Sequence, residues 1–394
     1  PPSTRRARTA SFRPLHQPDT DRVEVPFQWP ALPPDPPATI VRAAFEDLPA
    51  PQRRLECFTR SITLALLDYL ETSRSRGFVV SLSGGADSAA VSLLVVTGLR
   101  LAAAELGLEA LVARVGRPAG TSLEALTRDM LTCVYQSTRN SGEVTLTAAR
   151  GVATALGAKF AVIDVDALVG AYTERAESII GRELAWETDD IALQNIQARV
   201  RAPGIWMVAN VEQKLLLATS NRSEAAVGYA TMDGDTCGGL SPIAGIDKAF
   251  LRTWLAWMER AGVPGLGPVP ALSLINRQAP TAELRPPGEG QTDEGDLMPY
   301  PVLDAIEHAA IGDQRPPRDI LDVMARRFPQ YTRRDMAIWV ERFFRLFAQN
   351  QWKRERYAPS FHVDDESLDP KTWCRFPILN GGFRRELREL RESA

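Results

Sequence analysis

The feature that most constrains this chain is a two-glycine turn, Ser83-Gly84-Gly85-Ala86-Asp87-Ser88, set between two apolar segments. The preceding run, Gly77-Phe78-Val79-Val80-Ser81-Leu82, is short, β-branched and aromatic, and it predicts a buried strand. From Ser88 to about Leu106 the chain is rich in alanine and leucine, which predicts a helix. Paired glycines let backbone N–H groups point the same way, and a helix N-terminus adds positive dipole, so such a turn can hold an anion. No Gly-Lys-Ser/Thr follows, so this is not a Walker loop. A plain turn capped by Asp87 or Ser88 is the simpler reading. Both serines and the aspartate between a strand and a helix favour phosphate.

Alternation continues downstream. A helix ending near Leu156-Gly157 precedes Ala158-Lys159-Phe160-Ala161-Val162-Ile163-Asp164-Val165, and a third strand is expected at Leu215–Thr219. Helices and strands in alternation predict an α/β fold with a doubly wound parallel sheet and additional C-terminal helices. Ligands on such sheets sit at the C-terminal ends of strands, where Ser83 and Thr219 both fall. Upstream, Leu55, Phe58, Ile62, Leu66 and Leu70 recur at helical spacing and predict an amphipathic helix. Residues 1–54 read as a tail and linker: Arg5, Arg6 and Arg8, one short strand at Val23–Phe27, then five prolines between Pro30 and Pro37. Residues 55–394 read as the functional domain. Segments 263–270 and 284–301 read as loops, the second as a candidate lid.

Composition narrows the class. A formal charge of −3 argues against a general nucleic-acid binder, and no apolar run is expected to reach a membrane span. Cys57, Cys133, Cys237 and Cys374 are widely spaced, which fits free thiols in a reducing cytoplasm better than disulfides or a zinc site. With only His16, His308 and His362, histidine-based chemistry is poorly supplied.

Three further blocks accompany the turn. The first runs Thr219-Ser220-Asn221-Arg222-Ser223-Glu224 through Asp235, Gly238-Gly239-Leu240-Ser241-Pro242 and Lys248. The second is Leu193-Gln194-Asn195-Ile196-Gln197-Ala198-Arg199-Val200-Arg201, in which Asn195 and Arg199 share one helix face. The third joins Ala279-Pro280-Thr281-Ala282-Glu283-Leu284 to Gln291-Thr292-Asp293-Glu294. The turn resembles the pyrophosphate loop of the N-type ATP pyrophosphatases, and the three blocks together resemble the NAD synthetases within that superfamily. The C-terminal run Trp352-Lys353-Arg354-Glu355-Arg356-Tyr357 resembles their glutamine-dependent branch.

The resemblance implies a reaction and its parts. The carboxylate of nicotinic acid adenine dinucleotide attacks the α-phosphate of ATP, pyrophosphate leaves, and ammonia displaces AMP from the acyl-adenylate. Ser83, Gly84, Gly85 and Ser88 are then expected to hold pyrophosphate oxygens, and Asp87 and Glu224 to hold Mg2+. Lys248 and Thr281 would steady phosphate charge, Thr219 would contact ATP, and Asn195, Arg199 and Arg201 would lie beside the dinucleotide. Asp235 would sit near the nicotinate and incoming ammonia. The family also implies a homo-oligomer, at least a dimer, with a site shared between subunits.

Two departures carry expectations. Pro203-Gly204 follows Arg201 closely, so the helix bearing Arg199 should end or kink there, which unsettles Arg201 more than Arg199. Glutamine-dependent relatives carry an N-terminal amidase domain with a Glu-Lys-Cys triad, and the chain, which begins Pro1-Pro2, has no room for one. It is expected to be a fragment or processed form that uses free ammonia, with an amidase domain or subunit as the possible supplier. Another pyrophosphate-loop amidotransferase such as a GMP synthetase, or an inactive nucleotide-binding fragment, is the competing reading.

Overall fold

The computed structural model describes residues 25–28, 47–278, 284–285, 293–364 and 366–392. The chain divides into a short unit, Pro1–Ala43, and a large one, Ala44–Ala394. Where the expected strand at Val23–Phe27 is described, from Val25, it has no regular structure. The proline-rich and N-terminal arginine segments lie outside the described residues, as does Thr281.

The large unit is organised by four strands, Phe78–Ser81 (β1), Leu131–Ser137 (β2), Lys159–Asp164 (β3) and Leu215–Leu217 (β4). They pair in parallel in the order β3-β2-β1-β4, with Ser81 opposite Val134 and Val80 opposite Leu217. β1 is therefore internal and buried on both faces. Phe78, Val80 and Leu82 join the larger core, while Val79 packs with Val134, Leu216, Ile205 and Ala209 on the opposite face. β2 was not anticipated, because Thr132 and Gln136 break its apolar run. The sheet admits both by hydrogen bonding: Thr132 Oγ1 donates to Glu212 at 2.6 Å and Gln136 Nε2 to Ser81 Oγ at 3.1 Å.

The helices used below are Ala50–Ser73 (α1), Ala86–Leu106 (α2), Glu143–Leu156 (α3), Asp166–Ile180 (α4), Trp186–Arg199 (α5) and Arg201–Glu212 (α6). They continue with Arg222–Val227 (α7), Lys248–Arg260 (α8), Tyr300–Glu307 (α9) and Arg333–Gln349 (α10). α1 begins at Ala50, ahead of the expected Leu55, because Pro51 suits a first turn whose N–H groups have no helical partner.

By length and composition α2 could cross a membrane, contrary to expectation, but 72% of its apolar window is buried in the protein. It is the core helix, apolar all round because protein surrounds it. Leu93, Leu94, Val96 and Leu99 are each worth ~1.5–3 kcal/mol of burial, which outweighs the ~1 kcal/mol cost of Gly98 within the helix. That glycine is where α1 comes closest, since a Cβ there would lie 3.2 Å from Thr63 Cβ. A second core joins α7, α9, α10 and the helices Pro317–Arg327 and Arg384–Glu392.

Near Pro203 the chain breaks as expected, but upstream of the proline. α5 ends at Arg199 and α6 starts at Arg201, so Pro203 occupies the first turn, where its missing N–H costs nothing. The segment 284–301 is not all loop: Asp293–Asp296 is a helical turn and α9 starts at Tyr300.

Candidate active site

β1 delivers the chain to Ser83 at the C-terminal rim of the sheet, and α2 leaves from Gly85, its N-cap. Gly84 has φ +82°, and a Cβ there would lie 2.2 Å from the Thr145 carbonyl oxygen on α3. Only glycine fits this position. The two serine hydroxyls meet across the turn at 3.1 Å, and Ser88 Oγ accepts the Ser83 N–H at 3.2 Å. Ser83 Oγ also accepts the Gly85 N–H at 3.3 Å. The turn is thus pre-shaped, with hydroxyls and N–H groups at the positive end of a long helix, an anion-binding arrangement.

Facing it is a cluster of charge. Lys248, the first residue of α8, is buried and pairs with Asp87 of α2 and with Glu224 Oε1 of α7 at 3.0 Å. Asn221 ties the two acids together: its Oδ1 caps α7 by accepting the Glu224 N–H at 3.0 Å, and its Nδ2 donates to Asp87 at 3.0 Å. Asp293 also acts on the Lys248 ammonium. It is buried, its Oδ2 accepts the Tyr300 hydroxyl at 3.3 Å, and its Oδ1 has no hydrogen-bond partner. Burial alone would push the Lys248 ammonium down, but Asp87 and Glu224 more than offset this and hold it above its usual range. Burial raises the Glu224 and Asp293 carboxyls, with Lys248 opposing.

These groups line one cavity of about 840 Å³. Ser83, Gly84, Gly85, Asp87, Ser88, Thr219, Glu224, Asp235, Lys248 and Arg201 all face it, so most of the residues singled out in the sequence come together. Asp235 accepts the Thr231 N–H at 2.8 Å. Surrounding protein raises its carboxyl, but Asp235 opens to the cavity and water limits that rise. Arg201, the residue the proline had unsettled, lines the cavity and is braced by its Nε–H on the Gln136 carbonyl at 3.1 Å. Arg199 donates instead to the Met232 carbonyl at 3.1 Å, and Asn195 accepts the Thr231 hydroxyl at 3.0 Å. Both brace the 231–235 turn and are not among the cavity-lining residues.

Two cavity residues stood inside quoted motifs without a role. One is Asp293. The other is Lys353, whose ammonium donates to the carbonyls of Gly228 and Ala230 at 2.7 and 2.8 Å and acts on Asp235. The neighbouring Arg354 is structural: buried, it donates to the Ala226 carbonyl at 2.8 Å and so closes the C-terminal end of α7.

A hydroxyl-lined glycine turn at the rim of a parallel sheet, faced by a lysine and carboxylates, defines an α/β phosphate-loop protein of the N-type ATP pyrophosphatase fold. More narrowly, the chain belongs to the NAD synthase family, whose model matches residues 58–356. It is 29% identical over 346 residues to a glutamine-dependent NAD(+) synthetase of Rhodobacter capsulatus, covering 86% of this chain and 54% of that one. A Xanthomonas campestris protein of the same description is 30% identical over 322 residues, covering 82% and 49%. Among solved structures, a glutamine-dependent NAD(+) synthetase from Cytophaga hutchinsonii superposes with a TM-score of 0.75 at 43% identity, covering 87% of this chain and 56% of that one. An NMN synthetase from Francisella tularensis shares the fold at TM-score 0.54 and 18% identity, covering 79% and 99%. The chain spans about half the length of the curated relatives it matches.

Proposed function

We propose that this chain amidates nicotinic acid adenine dinucleotide to NAD, cleaving ATP to AMP and pyrophosphate through an acyl-adenylate. The observation that carries the reading is the junction of the phosphate turn with Lys248, Asp87 and Glu224 in one cavity that also holds Asp235 and Arg201. In this reading Ser83, Gly84, Gly85 and Ser88 grip the departing pyrophosphate, and Lys248 offsets the charge that develops on the α-phosphate. Thr281 belongs to the same assignment from sequence. Thr219 lies two residues beyond β4, within reach of ATP. Arg201 and Lys353 hold the dinucleotide, while Asn195 and Arg199 shape the turn that presents Asp235. That carboxylate accepts a proton as ammonia attacks the acyl carbon and AMP leaves.

The donor set suits magnesium. Asp87, Glu224 and Asp293 outnumber the Lys248 ammonium, and Asp293 Oδ1 is buried without a partner, so the cluster is short of positive charge. No group of three or more acidic, histidine or cysteine side chains that could hold a metal ion is assembled among the described residues. Asp87 and Glu224 would hold the magnesium. Bound there, magnesium supplies charge neutralisation to the phosphates.

Ammonia is the nitrogen donor, free or supplied by an amidase domain or subunit. Burial pushes the Cys133 thiol up to about 12 and the Cys237 thiol to about 11, so neither offers the thiolate that glutamine hydrolysis needs. All four cysteines are unpaired, which suits a reducing cytoplasm. Oligomer formation has its own support. α4 buries none of its residues, Tyr172 and Ile179 are exposed on it, and Met207 and Val211 are exposed on α6. A second copy would cover such side chains. The test is NAD formation from the dinucleotide, ATP and magnesium with either ammonium or glutamine. Ammonium alone should support it, and turnover with glutamine by the pure chain would refute the donor assignment. Pyrophosphate release with another acceptor in place of the dinucleotide would move the chain to another amidotransferase.

A further inference from the structure

Asp304 lies on α9, behind the charged cluster and away from the cavity wall, yet both of its oxygens are committed to the elements that build the cluster. One accepts the Ser223 hydroxyl at 2.5 Å, and the other accepts the Ala249 N–H at 2.9 Å. Ser223 Oγ in turn accepts the N–H of Lys248 at 2.8 Å. Ser223 is fully buried and immediately precedes Glu224, and Ala249 immediately follows Lys248.

One carboxylate therefore fixes the main chain on both sides of the Lys248 Cα and, through Ser223, the first turn of the helix that carries Glu224. The ammonium of Lys248 stands at the end of four rotatable bonds, so its place between Asp87 and Glu224 depends on where its backbone is held. Arg222, on the same turn, stands 3.0 Å from Glu307 and pairs with Asp364 at 2.8 Å.

We infer that Asp304 is a positioning residue for the reaction: through Ser223 and Ala249 it sets the distance between the Lys248 ammonium, Glu224 and the phosphate turn. This rests on the synthetase reading above. Displacements of about 1 Å at such a site cost on the order of 10²-fold in rate.

The test uses Asp304→Asn, Ser223→Ala and the double variant in the full chain. Each single variant should lower kcat about 10- to 100-fold with KM for ATP within about twofold, because alignment in the transition state is lost rather than ground-state binding. The double variant should be no worse than the poorer single one, since both break one chain of contacts. The Lys248 and Ala249 amides should exchange with deuterium faster in each variant than in the parent protein. Unchanged kcat in folded Asp304→Asn, additive losses, or a KM effect at constant kcat would overturn the inference. Should Asp304→Asn fail to fold, Ser223→Ala carries the same test. The exchange measurement needs no turnover. If the parent chain makes no NAD, the synthetase reading fails, while loss or retention of amide protection still decides the anchoring.

Discussion

Lys248 and Gly84 are the residues on which the site depends most. Replacing Lys248 with alanine leaves Asp87 and Glu224 facing each other without their shared ammonium and removes a preorganised cation from the phosphates. Pyrophosphate release should fall about 10²–10³-fold, as when one preorganised contact to developing charge is removed. Gly84→Ala sets a Cβ against the Thr145 carbonyl in a left-handed backbone. It should destabilise the protein by at least ~1–3 kcal/mol in urea unfolding and abolish ATP binding measured by calorimetry. At this scale the sequence was most legible where residues are adjacent. The turn from Ser83 to Ser88 could be read as one object, since its chemistry is complete within six residues. Asp293 and Lys353 could not be assigned, because their meaning comes from Lys248 and Asp235, which only the fold brings near them.

Among the elements, α9 carries a buried acid with a measurable consequence. Glu307 is fully buried beside Arg222, and burial pushes its carboxyl from 4.5 up to about 8 despite the attraction of that guanidinium. Between those values the folded protein holds a proton that the unfolded chain releases. Stability should therefore fall as pH rises from about 4.5 to 8 and level off above. Glu307→Gln should flatten that slope in urea unfolding series across the interval, and an unaltered slope would show that Glu307 is not its source. Elements marked by periodicity were legible, as with α1, whose Phe58, Ile62, Leu66 and Leu70 all enter the core. β2 was hidden by Thr132 and Gln136, polar residues that find partners only in the folded sheet. β3, expected from the apolar run after Gly157, forms an edge of the sheet with Val162 45% exposed, a place in the strand order that its sequence did not announce.

For the whole molecule, the exposed apolar side chains of α4 and α6 predict self-association. Light scattering after size exclusion should give a dimer or larger, and Met207→Glu with Val211→Glu should return a monomer, because two charges there oppose burial. A monomeric parent protein would contradict this. The proposed reaction takes place in the cavity that the sheet, α2, α7 and α8 enclose together. Its most direct measurement is simultaneous quantitation of pyrophosphate and NAD from purified protein with ATP, magnesium and ammonium, with and without nicotinic acid adenine dinucleotide. Both products should appear in equal amounts, and only when the dinucleotide is present. Pyrophosphate release that ignores the dinucleotide, or ATP binding with no release at all, would contradict the proposed reaction.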